Sequence, residues 1–353
     1  MLTTSSLGTT ELLLAAATEP TLSLTVAILA LVGGLFLLGF GADILVRGAI
    51  TLALRLRLTP TVIGLTVLAL GTSLPELVVS ITAQLTDAKA LAWGNVVGSN
   101  IFNIGLVLGV GALVRPLSIS GSTVRLEYPF MLGAALLIAL LIRSTDGTHI
   151  LDRIEGGFLL VIFVLFTGFM IRLARKEVNA RERERLHEAV TEAAGDTETE
   201  EPATSLRRAA VYALVGTAGL ALGGSFLVSG AESLALHLDV PPRIVATVIV
   251  AALTGAPELV TTVAALLHRK GEMAVANVVG SNIFNTLMVL GAASTVRPLD
   301  IADAGLSTDL GFMIGVSALL GPLLLGKRLN RWEGSALLCV YVAYVVVLVG
   351  RVG

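Results

Sequence analysis

A chain of 353 residues that is 55% hydrophobic and only 14% charged, with mean hydropathy +0.88, is too apolar to be soluble, since soluble proteins carry roughly 25% charged residues. Its apolar residues fall in blocks of about 20, the length that crosses the hydrocarbon core of a bilayer. The formal net charge of −2 excludes little, because the distribution of charge matters more than its sum in a membrane protein.

Residues 1–21 have no Lys or Arg ahead of their apolar stretch and read as a polar lead-in, unlike a cleaved signal peptide. Ten apolar segments follow, at about 24–46, 59–85, 92–114, 127–143, 155–174, 207–236, 242–267, 272–296, 308–326 and 333–350. Backbone at membrane depth must be satisfied within the segment, so all ten are expected to be helices. The fold class is an all-α polytopic membrane protein. Between the fifth and sixth segments, residues 175–206 form the one long polar stretch. Its first half alternates charges like a solvated helix, and its second half is acidic and expected to be disordered. Ten spans sort the connections into two alternating sets, and 18 of the 24 Lys and Arg fall in the set holding this linker. That set should face the cytoplasm, leaving both termini outside. Cys339 lies in an apolar run and reads as a small core residue, without a disulfide partner in the chain.

The chain repeats itself. Shifted by 182 residues, GNVVGSNIFNIGLVLGVGALVRPL (94–117) meets ANVVGSNIFNTLMVLGAASTVRPL (276–299), with 16 of 24 positions identical. GTSLPEL (71–77) likewise meets LTGAPEL (253–259), pairing Pro75 with Pro257 and Glu76 with Glu258, and Pro60 meets Pro242. Five spans per repeat is an odd number, so the halves, 22–174 and 207–353, must lie in opposite orientations. Inverted repeats around a midplane site are an architecture of secondary transporters.

The closest matches are polar and mid-membrane. A carboxylate there costs about 2.5–3.5 kcal/mol even on lenient insertion scales, and a proline removes a helical hydrogen bond. A helix broken beside a carboxylate exposes carbonyl oxygens to a cavity. Thr72 and Ser73 add hydroxyls, with Glu76 one turn on, and Thr254 and Glu258 repeat the set. Asn95, Ser99 and Asn103 recur every four residues along one face of the third span, as do Asn277, Ser281 and Asn285 in the eighth. Gly94 and Gly98 should let that face approach the second span closely. These are hard oxygen donors, suited to Na⁺ or Ca²⁺ and not to soft metals. The histidines, His149, His187, His237 and His268, fall in loops or at span ends, which argues against an intramembrane enzyme. A cation channel and a proton/calcium antiporter remain the alternatives to a sodium-coupled carrier.

GTSLPEL with GNVVGSNIFN, repeated, resembles the two alpha repeats of the calcium/cation antiporter superfamily, most of all its prokaryotic sodium/calcium exchanger branch. The resemblance covers all ten spans. It implies two inverted five-helix halves, four midplane ion sites and alternating access by sliding of the first and sixth helices. It also implies antiport of Ca²⁺ against Na⁺, or H⁺, in a prokaryotic cell membrane. Matched motif by motif, it places the ion ligands at Thr72, Ser73, Glu76, Ser99 and Asn103 in one half. In the other they are Thr254, Glu258, Ser281 and Asn285, with the carbonyls of Ala69 and Ala251. No cofactor and no nucleic acid are implied; the partners are the bilayer and the transported cations. Two positions depart from the pattern. Gly255 stands opposite Ser73, and Asn285 stands where such exchangers commonly have Asp.

Overall fold

The computed structural model describes residues 22–56, 58–85, 89–142, 150–177, 206–238, 251–300 and 304–352. The lead-in at 1–21, most of the charged linker, His149, His187 and Pro242 lie outside them. The helices are α1 (Leu24–Leu56), α2 (Pro60–Thr72), α3 (Leu74–Leu85), α4 (Ala92–Val114), α5 (Thr123–Leu141), α6 (Arg153–Glu177), α7 (Leu206–His237), α8 (Ala251–Thr254), α9 (Ala256–Leu267), α10 (Gly271–Val296), α11 (Ala304–Leu325) and α12 (Arg331–Val352). Among the described residues, eight of these are long and apolar enough to cross a membrane alone. The pair α2 and α3, bent by 44°, makes a ninth span. The short helices α8 and α9 fall within the segment 242–267 that the sequence marks as a span, of which the described part begins at Ala251. Apart from two short β-ladders, the described residues have the helical, polytopic architecture expected from the sequence, and they agree with its ten spans.

Burial divides the spans into two layers. Within its most apolar stretch α10 is 94% buried and α4 is 78% buried, whereas α1, α6 and α12 reach only 22%, 22% and 17%. The two spans carrying the repeated GSN motif therefore form the centre, and the uniformly apolar spans form the rim. Leu29, Phe36, Leu140, Val164 and Leu214 point outward from that rim, as a bilayer solvent allows. Cys339 corrects the sequence reading. It is exposed on α12, because that helix is apolar all round and offers no polar stripe by which the inward face could be told from the outward one.

The long helices α1 and α7 pack against each other along their length. Their contact carries glycines at seven-residue spacing on both helices; Gly34 faces Gly223 and Gly41 faces Gly216, while Gly48 meets Ala213 and Gly230 meets Ala27. A β-carbon at Gly216 would lie 2.5 Å from the Leu45 nitrogen, and one at Gly41 2.8 Å from the Leu220 nitrogen. Only hydrogen fits between these backbones. The first helix runs ten residues past its expected end at 46, and at 33 residues it is about 50 Å long, more than a hydrocarbon core requires. Arg47, just past the apolar segment, donates to Asp43 one turn back at 2.8 Å, a pairing that supports the helix there. Asp43 also meets His268 Nε2 at 2.7 Å, tying α1 to the end of α9.

Two short antiparallel ladders carry the signature of inversion. Leu117–Ser118 (β1) pairs with Arg328–Leu329 (β4), and Ile150–Leu151 (β2) pairs with Leu299–Asp300 (β3). The 182-residue shift turns β1 into β3, and a shift of 178, four residues having been lost late in the second half, turns β2 into β4. The span order puts the two ladders at opposite ends of the bundle.

Candidate functional site

The break in the second span falls at Ser73 (φ −90°, ψ 7°) and its mate falls at Gly255 (φ −82°, ψ 1°). Both leave the helical region at the same point of the two repeats. Pro75 and Pro257 then occupy the first turns of the new helices α3 and α9, where a missing N–H loses no hydrogen bond. Glu76 and Glu258 share those first turns. The partial positive charge of a helix N-terminus favours a carboxylate there.

Every sequence-derived side chain whose surroundings are described is buried. Thr72, Ser73, Glu76, Asn103, Glu258, Ser281 and Asn285 are 0% exposed, Ser99 1% and Thr254 4%. Hydrogen bonds knit them across the repeats. Ser73 Oγ donates to Glu258 Oε1 at 3.0 Å, and Thr72 Oγ1 lies 3.3 Å from Ser281 Oγ. Asn103 Nδ2 donates to Asn282 Oδ1 at 3.0 Å. The first repeat's hydroxyls thus serve the second repeat's carboxylate. Gly255 has no hydroxyl to return the contact. Correspondingly, neither oxygen of Glu76 has a partner among the described residues. The carbonyl of Ala69 is less available than its proposed role suggests, since it accepts from Ser73 N at 3.0 Å and from Thr72 Oγ1 at 3.3 Å. Ala251, its mate, opens α8.

Asn103 and Asn285 sit within π-helical turns, Asn103–Val107 and Phe284–Val289, a distortion that recurs at functional sites. The expected face does meet the second span, where Asn95 donates to the Glu76 carbonyl at 3.1 Å and to Ser80 Oγ at 2.9 Å, with no described close contact at Gly94 or Gly98. Nothing among the described residues lies within 4 Å of a β-carbon on either. The close approach appears instead at the mate of Gly98, Gly280, where a β-carbon would meet the Leu65 carbonyl at 2.6 Å. The equivalent neighbour of Gly98, residue 247, lies outside the described residues.

Several polar residues escaped the sequence reading. Asn100 Nδ2 donates to Thr286 Oγ1 at 2.9 Å, and Asn282 Nδ2 donates to the Asn100 carbonyl at 3.2 Å. Both asparagines belong to the repeated GSN and could have been flagged by that alone. Ser80 and Gln84 follow Glu76 at four-residue steps, all three fully buried. Thr261 and Thr262 sit at the corresponding depth after Glu258.

Buried polar atoms are nearly always hydrogen-bonded, so the exceptions are informative. Both oxygens of Glu76, Oε2 of Glu258, Ser99 Oγ, Asn103 Oδ1 and the amide of Asn285 lack partners among the described residues. All but the Asn285 nitrogen are oxygens able to ligate a cation. The remaining donor capacity of two carboxylates, a hydroxyl and two amide carbonyls converges where the broken helices cross α4 and α10. This is a hard-oxygen set of net charge −2 when both glutamates are ionised.

Comparison with known proteins points the same way. Residues 26–172 and 208–350 match the family described as sodium/calcium exchanger protein, one match for each repeat. CaxA of Alkalimonas amylolytica, which its name assigns only provisionally as an antiporter, is 35% identical over 315 residues, covering 88% of this chain and 95% of that one. The sodium/calcium exchanger MaX1 of Methanosarcina acetivorans is 31% identical over 347 residues, covering 92% and 99%. Among solved structures, the sodium-calcium exchanger NCX_Mj soaked with 10 mM Na⁺ and 10 mM Sr²⁺ superposes with a TM-score of 0.75 at 28% identity, covering 92% of this chain and 99% of that one.

Proposed function

This chain belongs to the sodium/calcium exchanger protein family, and on that premise we propose that it exchanges Ca²⁺ for Na⁺ across the membrane. The two ions use one midplane site in turn, by alternating access. The carrying observation is the unpartnered, fully buried Glu76 carboxylate facing the half of the site that holds Glu258. Leaving both carboxylates ionised without a counter-charge would be costly at that depth, and bound cations supply it. Thr72, Ser73, Ser99, Asn103, Thr254, Ser281 and Asn285 complete the oxygen shell as neutral ligands. One Ca²⁺ or two Na⁺ neutralise the two glutamates, so either load can be carried through a low-dielectric interior and competes with the other for the same oxygens. Residues 22–174 and 207–353 act as the two inverted halves. The Lys and Arg bias supports a prokaryotic cell-membrane orientation with 175–206 in the cytoplasm and both termini outside.

The test is Ca²⁺ flux in proteoliposomes under Na⁺ and H⁺ gradients imposed in turn. The reading requires Ca²⁺ uptake driven by an outward Na⁺ gradient, saturable and absent without a counter-ion. Uptake driven by H⁺ alone would reassign the co-ion. Flux needing no counter-ion would make the protein a channel.

A further inference from the structure

The repeats diverge most tellingly just beyond the ion site, along the helices that carry the two glutamates. On α3 the residues Glu76, Ser80 and Gln84 fall at four-residue steps on one face, and all three are 0% exposed. They span about 12 Å of helix, from the midplane to the last turn. Asn95 crosses from α4 to this stripe, donating to Ser80 Oγ at 2.9 Å and to the Glu76 carbonyl at 3.1 Å. At its end, neither Oε1 nor Nε2 of Gln84 has a partner among the described residues. Buried amides are nearly always hydrogen-bonded, so this one has both its oxygen and its nitrogen free to meet a ligand.

The mirror stripe on α9 reads Glu258, Thr262, Leu266. It begins with the same polar steps and ends in a side chain 2% exposed that cannot bind a cation. The Thr262 methyl and the Leu266 Cδ1 pack 3.4 and 3.5 Å from a β-carbon position on Gly111, with Leu117 at 3.6 Å. That packing closes the stripe with hydrocarbon. The buried stripe on α3 therefore stays polar to the last turn of its helix, and the one on α9 ends in hydrocarbon.

We propose that the Glu76–Ser80–Gln84 face of α3 is the path by which cations reach the site from the side of the membrane where α3 ends, and that the Gln84 amide is its outermost ligand. This rests on the exchange reading above. The carbonyl Oε1 replaces one water of a partly dehydrated Na⁺ or Ca²⁺ before Ser80 and Glu76 take over. Leu266 at the equivalent depth makes access from the opposite side depend on movement of α9.

The test separates the two faces. Ca²⁺ flux is measured in membrane vesicles of both orientations, with Ca²⁺ varied on one side at a time, for wild type, Gln84→Leu and Gln84→Glu. Gln84→Leu is close in volume and removes a buried unpaired amide, so folding should survive. It should raise the half-saturating Ca²⁺ about tenfold on the α3-exit side, the loss of one charge-assisted contact, and leave the other side unchanged. Gln84→Glu should lower the half-saturating Ca²⁺ on that same side only. Equal effects on both sides, or none on either, would overturn the route while the exchange reading stands. A wild-type protein that moves no Ca²⁺ would overturn both.

Discussion

Placing a serine at Gly255 would restore the symmetry of the site on paper, giving Glu76 the hydroxyl that Ser73 gives Glu258. The structure predicts that the single change fails. A β-carbon at 255 would lie 2.5 Å from Phe102 Cδ1 and 2.6 Å from its Cε1, against an ordinary contact of roughly 3.5–4.0 Å. The ring would have to retreat by about 1 Å. It is only 4% exposed and rests edge-on against Tyr341, with centroids 5.7 Å apart at 83°. Overpacking of this kind costs about 1–3 kcal/mol. Gly255→Ser should therefore lower thermal stability by that amount and depress transport. Phe102→Leu should recover much of the loss, giving a coupling of about 1–3 kcal/mol in a double-mutant cycle. In the double variant the new hydroxyl can reach Glu76, and the half-saturating Na⁺ should fall. Thermal unfolding of the detergent-solubilised protein and Na⁺-dependent Ca²⁺ flux read the two effects separately. A Gly255→Ser protein as stable as wild type, or a cycle without coupling, would refute the reasoning.

Glu76→Gln and Glu258→Gln should each reduce Na⁺-driven Ca²⁺ flux by about 100-fold or more, with normal membrane insertion checked by chromatography; near-wild-type flux in either would remove that residue from the site. Gly216→Ala should lose about 1–3 kcal/mol of thermal stability through its backbone clash with Leu45, whereas Gly39→Ala, with nothing within 4 Å, should be neutral or gain roughly 0.5–1 kcal/mol. Asn285→Asp adds a third carboxylate beside the first two and should lower the half-saturating Ca²⁺ about tenfold; an unchanged value would make the position structural.

Hydropathy, charge bias and the 182-residue repeat carry most of the fold, because each reports on a property spread over many residues. Span number follows from apolar length, and inversion follows from an odd count per repeat. The burial of all nine polar side chains in the candidate set was legible for the same reason, since two copies of one motif cannot both be accidents. What the sequence hid depends on single contacts. Gly94 and Gly98 marked the face that meets the second span through Asn95, but pattern alone cannot say which glycine of a repeated pair makes a close backbone contact, and the described one is at Gly280. The exposure of Cys339 was illegible because α12 is apolar on every face. The departure at Gly255 was visible as a missing hydroxyl. Its cause, an aromatic ring from the other repeat filling the place, requires three dimensions.

A perfect inverted repeat would have two access states of equal energy, each the other viewed upside down, so any bias between them must come from contacts that break the symmetry. The clearest is the asparagine pair. Asn95 holds both Ser80 and the Glu76 carbonyl. Its mate Asn277, equally buried, holds neither Thr262 nor any other described group, and Thr262 Oγ1 is also without a partner. Exchange of the two states should exchange these roles, with Asn277 gripping Thr262 and the Glu258 carbonyl while Asn95 lets go. Each neutral hydrogen bond is worth about 0.5–1.5 kcal/mol net, so losing the Asn95 pair alone can change the ratio of states by roughly tenfold. Asn95→Ala should then depopulate the conformation in the structure, and Asn277→Ala should enrich it. Labelling of a single cysteine from each face, in a Cys339→Ser background, reads the shift directly. Two substitutions that move the population the same way, or not at all, would mean that these asparagines only pack the core and that the bias lies elsewhere.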